Sequence, residues 1–217
     1  MYTYELSNLR CTFTFEESAE DLYRSILQTN ILNNLFIDSG DYKSFRFHAY
    51  KIQTLEEFIN RKANKFTKFT YDDSLIMAKH LGAQLFCLEK NNLSLLWMDI
   101  QHVFVINNCY FLYFGNEHIA PVKSKSKGYM TFSTPALMSK HNFAAPEFSG
   151  IQSLPVLIPH QAPYYSLGAL IIYCLFPNID PKNISNEDMA PIKESKLFWF
   201  LLRAIQDDPR KRRLLFV

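Results

Sequence analysis

The sequence has 217 residues, of which 48% are apolar and 15% aromatic, with 23 Lys and Arg against 21 Asp and Glu. This length suffices for one domain or two small lobes with a buried core, and the composition is too hydrophobic for a disordered chain. The nearly balanced charge argues against a dedicated nucleic-acid-binding protein, which would carry a basic excess. The longest apolar run, 168–176, is about half as long as a membrane span, and no secretory signal peptide is visible. We therefore expect a soluble cytoplasmic protein without membrane contact.

Cysteine and glycine usage excludes two kinds of site. The four cysteines lie far apart, without the spacing of metal ligands, so we expect reduced thiols and no metal; they are Cys11, Cys87, Cys109 and Cys174. The sequence has six glycines and contains neither G-x-G-x-x-G nor G-x-x-x-x-G-K-[ST]. Because a phosphate cradle needs closely spaced glycines, both nucleotide-binding loops are excluded.

The first part of the chain predicts strands followed by helices. Residues 2–15 alternate like one or two strands, and 16–36 has helical periodicity with acidic residues in its first turns. Residues 44–52 alternate again. A short helix is predicted over 53–60, with Thr54 as N-cap and Glu57 completing a capping box.

The second part predicts more helices and one inserted hairpin. A helix is expected over 72–89, with an apolar stripe formed by Leu75, Ile76, Ala78, Leu81, Leu85 and Phe86. Two short apolar runs joined by Asn107-Asn108 predict a β-hairpin, since Asn tolerates the backbone of a tight turn. The polar segment 116–141 predicts a surface loop. Pro163 suits the first turn of an apolar helix, and a last helix is expected over 195–206.

Three short motifs in this order resemble those of the protein-kinase family. Ala145-Pro146-Glu147 resembles the A-P-E motif, Ser166-Leu167-Gly168 resembles the S-L-G of the central helix, and 208–212 matches D-P-x-x-R. The resemblance implies an α+β, protein-kinase-like fold. It would have a truncated small lobe over 1–50, made of strands and one helix, and a mostly helical large lobe with a β-hairpin over 51–217. In kinases the A-P-E glutamate pairs with the D-P-x-x-R arginine, so the resemblance predicts a contact of Glu147 with Arg212.

The same resemblance implies that the catalytic groups of the family are missing. Asp99 stands at the position of the catalytic aspartate, but Gln101 replaces the lysine that follows it, and Phe104 the asparagine. The D-F-G position is Tyr113-Phe114-Gly115, and a neutral phenol cannot hold Mg²⁺ as a carboxylate does. No shift of this register by one residue restores the asparagine or the metal-binding aspartate. Since phosphoryl transfer depends on these groups, we expect no catalytic residue, cofactor, metal or bound nucleotide.

The sequence then favours a catalytically inactive pseudokinase that acts as a protein-binding or scaffolding module. Two alternatives stay open: a structural subunit of a larger assembly, with a viral assembly, virion or virus-infected cell as one setting, and a divergent phosphotransferase using Asp99. We expect most of the abundant aromatic residues in the core and some of them, with Trp97 and Trp199 as candidates, at an interface. We expect a protein partner and no nucleic acid. The terminal basic run 210–213 is an alternative site for acidic partners or nucleic acid, although we expect its Arg212 to pair with Glu147.

Overall fold

The computed structural model describes residues 2–15, 18, 20–21, 29, 36–38, 42–64, 68–114, 118–123, 128–132 and 142–215. Over these residues the chain forms four α-helices and three antiparallel sheets, so the α+β class predicted from the sequence is confirmed. Within the same residues, no helix is both long and apolar enough to cross a membrane.

The elements follow one another from strands to helices. The strands are β1 (Tyr2–Ser7), β2 (Arg10–Phe15), β3 (Phe36–Asp38), β4 (Ser44–His48), β5 (Ile52–Thr54), β6 (Leu93–Leu95), β7 (Val103–Ile106), β8 (Cys109–Leu112), β9 (Ile119–Lys123), β10 (Tyr129–Phe132) and β11 (Val156–Pro159). The helices are α1 (Leu55–Asn64), α2 (Tyr71–Lys90), α3 (Ala162–Leu175) and α4 (Lys196–Ala204). The sheets have the strand orders β1-β2-β4-β3, β11-β10-β9-β6 and β5-β7-β8.

The strand prediction for residues 2–15, which left one or two strands open, is confirmed with two: β1 and β2 pair as an antiparallel hairpin. The helix predicted over 16–36 lies mostly outside the described residues. Its expected end is wrong, because Phe36 begins β3, which pairs with β4. The rings of Phe13 and Phe47 pack against Phe104 and Phe111 of the β7–β8 hairpin, with centroid distances of 4.9 Å and 5.5 Å. The division into lobes at residue 50 stays a prediction.

Local rules explain where the first helix begins. The Thr54 backbone N–H donates to the Glu57 carboxylate at 2.8 Å, and the Glu57 N–H donates to the Thr54 hydroxyl at 3.1 Å. This is the capping box predicted from the sequence. Helix α1 begins at Leu55, directly after the capping residue Thr54, and extends to Asn64, beyond the predicted end at residue 60.

Helix α2 buries part of the apolar stripe predicted from the sequence: Ala78, Leu81 and Leu85 lie in the core. Ile76 and Phe86, assigned to the same stripe, are 41% and 53% exposed. The buried face also includes the polar Gln84. Gln84 is satisfied there, because its amide donates to the Tyr110 carbonyl at 3.2 Å and accepts from Leu112 N–H at 3.0 Å.

The β7–β8 hairpin turns through Asn107 and Asn108 as predicted, both with positive φ, 49° and 68°. The Asn107 side chain also fastens this turn to the segment between β4 and β5. Its Oδ1 accepts from the N–H groups of Tyr50 and Lys51 at 3.0 and 3.1 Å, and its Nδ2 donates to the His48 carbonyl.

The prediction of a surface loop over 116–141 is wrong for the parts of this segment that the structure describes. The described parts of this segment contain β9 and β10, which lie between β6 and β11 in one sheet. Ala120 and Met130 are buried, 5% and 0% exposed, so two side chains of the segment belong to the core.

Helix α3 is the central helix of the core. It is apolar on all sides and buried along most of its length, as expected for a helix surrounded by protein. Gly168 lets the end of α4 approach closely, since a Cβ atom there would lie 2.7 Å from Ile205 Cγ2 and 3.0 Å from Ala204 Cβ. Helix α4 begins after Ser195, whose hydroxyl accepts from the Phe198 N–H at 3.1 Å.

Candidate functional site

The residue at the expected catalytic aspartate position has a structural contact. Asp99 precedes the 3₁₀ turn Ile100–His102, and its Oδ1 accepts from the Ile100 N–H at 2.6 Å. The Asp99 N–H donates to His102 Nδ1 at 3.1 Å, closing a reciprocal cap. His102 is buried and leads into β7, while Gln101 is exposed. The Asp99 carboxylate thus organises the entry to the hairpin.

The two positions where the resemblance implies metal ligands hold aromatic rings that pack in or against the core. Phe104 is fully buried, and its ring lies 6.4 Å from that of Tyr113. Tyr113 stacks on Phe15 at 5.4 Å with an interplanar angle of 12°, and its N–H donates to the His102 carbonyl at 2.7 Å. Phe114 is 1% exposed. Gly115 lies outside the described residues. Phe104 has no oxygen atom and Tyr113 has only a phenol, so neither side chain supplies the carboxylate or amide oxygen that a hard divalent cation prefers.

Arg212 and Glu147 form the contact that the sequence predicted. The guanidinium donates from Nη1 to Glu147 Oε1 at 2.6 Å and from Nη2 to Oε2 at 2.9 Å. It also donates to the carbonyls of Gln206 and Asp207 at 2.7 and 3.2 Å, and lies 5.2 Å from the ring centre of Tyr165. The Arg212 side chain has no exposed surface, and that of Glu147 is 16% exposed. One arginine therefore joins the segment after α4 to the 3₁₀ turn Pro146–Phe148 and to α3.

A second charged cluster connects α2 with the start of α3. His160 Nε2 lies 3.0 Å from Glu89 Oε1, and the Tyr164 hydroxyl donates to Glu89 Oε2 at 2.5 Å. His160 Nδ1 lies 2.6 Å from the carbonyl oxygen of Gly128. Because a carbonyl and a carboxylate only accept hydrogen bonds, both ring nitrogens must carry a proton to donate to them.

The ionisation of this cluster follows from its contacts. The hydrogen bond to Glu89 raises the pKa of His160, and the same bond lowers the pKa of Glu89. Burial, and then its hydrogen bond to Glu89, raises the pKa of the Tyr164 phenol. The arrangement is therefore an imidazolium–carboxylate pair with a neutral phenol. Gly128 fits closely against it, since a Cβ atom would lie 2.6 Å from His160 Nδ1.

His80 has the opposite environment. Its Nδ1 accepts from the Tyr110 N–H at 3.1 Å, and burial lowers its pKa to about 4. It is a neutral acceptor between α2 and β8. Across the described ranges, no group of three or more His, Cys, Asp or Glu is arranged to hold a metal ion. The cysteines are unpaired, with Cys11, Cys87 and Cys174 buried and Cys109 partly buried.

A groove of about 780 Å³ lies beside the Glu89 cluster, and we call it the α2 groove. One wall is a face of α2 that includes Lys79, Ala83, Phe86 and Lys90. The other walls include the start of α3 and residues 212–215, with Thr29 also in contact with the space. Three segments far apart in sequence thus form one concavity, which periodicity along the chain could not reveal.

The two tryptophans differ in their exposure. Trp97 is fully buried, with its ring 5.5 Å from that of His118 and 5.7 Å from that of Phe148, so it is a core residue. Trp199 on α4 is 49% exposed. Trp97 is therefore not a candidate for an interface, whereas Trp199 and other exposed rings such as Phe86 remain candidates.

No protein-family model matches this chain. A comparison with the curated proteins also finds no significant match. A function for the chain must therefore be argued from its own residues.

Proposed function

We propose that this chain is a catalytically inactive pseudokinase that acts as a protein-binding or scaffolding module. In this proposal residues 51–217 are a kinase-like large lobe and residues 1–50 a reduced small lobe. The support for a kinase-like fold is the Glu147–Arg212 pair, together with Gly168 at the close approach of α3 to the end of α4. The ion pair joins two of the three motifs that carry the resemblance, and the third motif contains Gly168.

The observation that carries the loss of catalysis is the environment of Phe104 and Tyr113. Phosphoryl transfer relies on electrostatic stabilisation of phosphate oxygens by metal ions and cations. At the two positions where the resemblance implies metal ligands, the chain has a fully buried phenylalanine and a tyrosine stacked on Phe15. Asp99, the remaining candidate, caps the turn beside them. Such packing supports a structural use of this segment.

A fold does not dictate a function, so the binding role needs its own support. It rests on exposed large apolar side chains beside a groove, Phe86 and Leu215 among them. Such side chains are typical of interaction surfaces when they gather at one place. The free thiols favour a reducing, intracellular location for this role.

A phosphotransfer assay with a matched variant tests the catalytic half of the proposal. Wild type and Asp99→Asn are incubated with Mg·ATP labelled on the γ-phosphate, and incorporation into the chain and into generic protein substrates is measured. We expect the same background with both. Incorporation by wild type that Asp99→Asn abolishes would support a divergent phosphotransferase and overturn the proposal.

The binding half is tested by capture from the native source, with and without EDTA. A scaffold of this kind should retain a stoichiometric protein partner in both conditions, because no metal-bound nucleotide participates. Cross-linking then maps the contact face. Loss of the partner on chelation, or its absence throughout, would contradict the scaffolding role.

A further inference from the structure

The exposed face of α2 has the spacing of a helix-binding surface. Ile76, Lys79, Ala83, Phe86 and Lys90 follow one another at intervals of three, four, three and four residues. Residues at this spacing form one stripe along a helix, and the stripe lies opposite the buried face of α2. With a rise of about 1.5 Å per residue, it is about 21 Å long.

The α2 groove includes part of this stripe and is lined in part by exposed apolar side chains. Phe86 and Leu215 are 53% and 46% exposed, and both line the groove together with Ala83. Helix α2 and the C-terminal segment thus each present a half-exposed apolar side chain to the groove. A partner covering them would gain free energy from the apolar area removed from water.

The lining of the groove carries an excess of positive charge. It has five cationic side chains, of which the His160 imidazolium is one, and one carboxylate, whereas the whole chain has a formal charge of only +2. Arg212 is neutralised by Glu147, and the carboxylate, Glu89, is bound by His160. Of the other three cations, Lys79 and Lys90 make no ion pair with the part of the chain that the structure describes. Arg213 makes no direct ion pair there either, although its charge helps to lower the pKa of Glu89 and its guanidinium donates to two backbone carbonyls.

From this combination we infer that the α2 groove is the docking site for an acidic amphipathic helix of a partner protein. The apolar side of that helix would cover Phe86 and Leu215, and its carboxylates would face Lys79, Lys90 and Arg213. The inference rests on the proposed scaffolding function and identifies the kind of segment the scaffold binds. A concave site lined by exposed apolar side chains favours a peptide over a nucleic acid, whose recognition needs an extended basic surface.

The test selects ligands from a display library of random 16-residue peptides. Selection against wild type should enrich sequences that have apolar residues at helical spacing and an excess of Asp and Glu. Affinities of the selected peptides are then measured by fluorescence anisotropy, with the charge-inverted Lys version of each peptide as a matched ligand. We expect at least tenfold weaker binding of the inverted peptides, and weaker binding at high salt.

Variants locate the site on the protein. Lys79→Glu with Lys90→Glu should lower the affinity at least tenfold, and Phe86→Ala about as much. The controls are Lys193→Glu with Lys196→Glu, and Tyr50→Ala, which change exposed charged and aromatic residues outside the groove. The controls should bind within twofold of wild type. Circular dichroism and melting curves verify that each variant is folded.

Several outcomes would overturn the inference. The selection could yield no peptide, or it could yield peptides without an excess of Asp and Glu. The selected peptides could also bind equally well to wild type and to the Lys79→Glu, Lys90→Glu variant. Tighter binding of a single-stranded oligonucleotide or of anionic vesicles would assign the groove to another class of partner. A dimer in sedimentation that the two charge reversals abolish would assign it to a second copy of this chain. Retention of the native partner by the Lys79→Glu, Lys90→Glu variant would refute docking at the groove and leave the scaffolding function in place. Phosphotransfer by wild type would refute only the proposed function.

Discussion

Arg212 and Glu147 are 65 residues apart in sequence, and they meet through two nearly parallel hydrogen bonds of 2.6 and 2.9 Å. The arginine side chain is entirely buried, and it also satisfies two backbone carbonyls after α4. A charge removed from water in this way is tolerated only with a partner and further hydrogen bonds. This pair is therefore the contact on which the packing of the C-terminal segment depends most.

Removing either member of this pair should strongly destabilise the protein. Glu147→Ala leaves a buried guanidinium without its counter-charge, and we expect a loss of about 3–5 kcal/mol in the free energy of unfolding. Arg212→Ala should cost at least as much, because two carbonyls lose their donors too. Urea denaturation measures both, and the double variant should cost much less than the sum.

The exposed pair formed by Arg210 and Asp208 provides the control. Arg210 is 82% exposed, so its solvated ion pair contributes little. Arg210→Ala should leave the unfolding curve unchanged within error. Additive effects at Glu147 and Arg212, or losses below about 0.5 kcal/mol, would contradict the coupling described for this pair.

The close contact at Gly168 gives a second prediction. Gly168→Ala places a methyl group against Ile205 and Ala204, and we expect it to destabilise by about 1–3 kcal/mol through overpacking. Gly150→Ala is the matched control, because nothing lies within 4 Å of the Cβ position there. Thermal melting measures both, and an equal effect of the two substitutions would be inconsistent with close packing of α3 against the end of α4.

The His160–Glu89 pair should make stability depend on pH. The folded-state pKa of His160 is raised above 6.5, so its contribution is complete below about pH 6.5 and is lost as the pH rises through the folded value. The folded-state pKa of Glu89 is lowered below 4.5, so its contribution is present above about pH 4.5 and lost in acid. The pair therefore stabilises most between about pH 4.5 and 6.5.

The measurement compares wild type with His160→Gln by urea denaturation from about pH 5 to about pH 9. The difference in unfolding free energy should be largest at the acidic end and shrink at alkaline pH. His80→Gln should show the opposite trend, because burial lowers the pKa of His80 to about 4 and its contribution to stability is lost as the pH falls. A constant difference at His160 would show that its imidazole does not titrate in the pair.

Local chemistry made several features predictable from the sequence. The capping box of Thr54 and Glu57 and the Asn107-Asn108 turn need only neighbouring residues, and both are present in the structure. The Glu147–Arg212 contact followed from the resemblance, since no local rule joins residues so far apart.

Features that depend on distant partners were predicted less well. Strands β9 and β10 contain polar residues and Pro121, and become strands because β6 and β11 pair with them. In α2, hydropathy alone assigned Ile76 and Phe86 to the buried face, but both are exposed. The polar Gln84 is buried instead, because its side chain forms hydrogen bonds to the backbone of β8. The α2 groove could not be predicted from the sequence, because its walls come from segments far apart along the chain.

The central claim is that the chain keeps a kinase-like framework without using nucleotide, and Mg·ATP binding tests it most directly. At about 5 mM Mg·ATP, a Kd of about 50 μM would stabilise the protein by roughly 2.7 kcal/mol. For a chain of this size that raises the melting temperature by about 5 to 10 °C. The account predicts no shift beyond that of a matched Mg²⁺ and phosphate control. A saturable rise of several degrees that EDTA abolishes would contradict it.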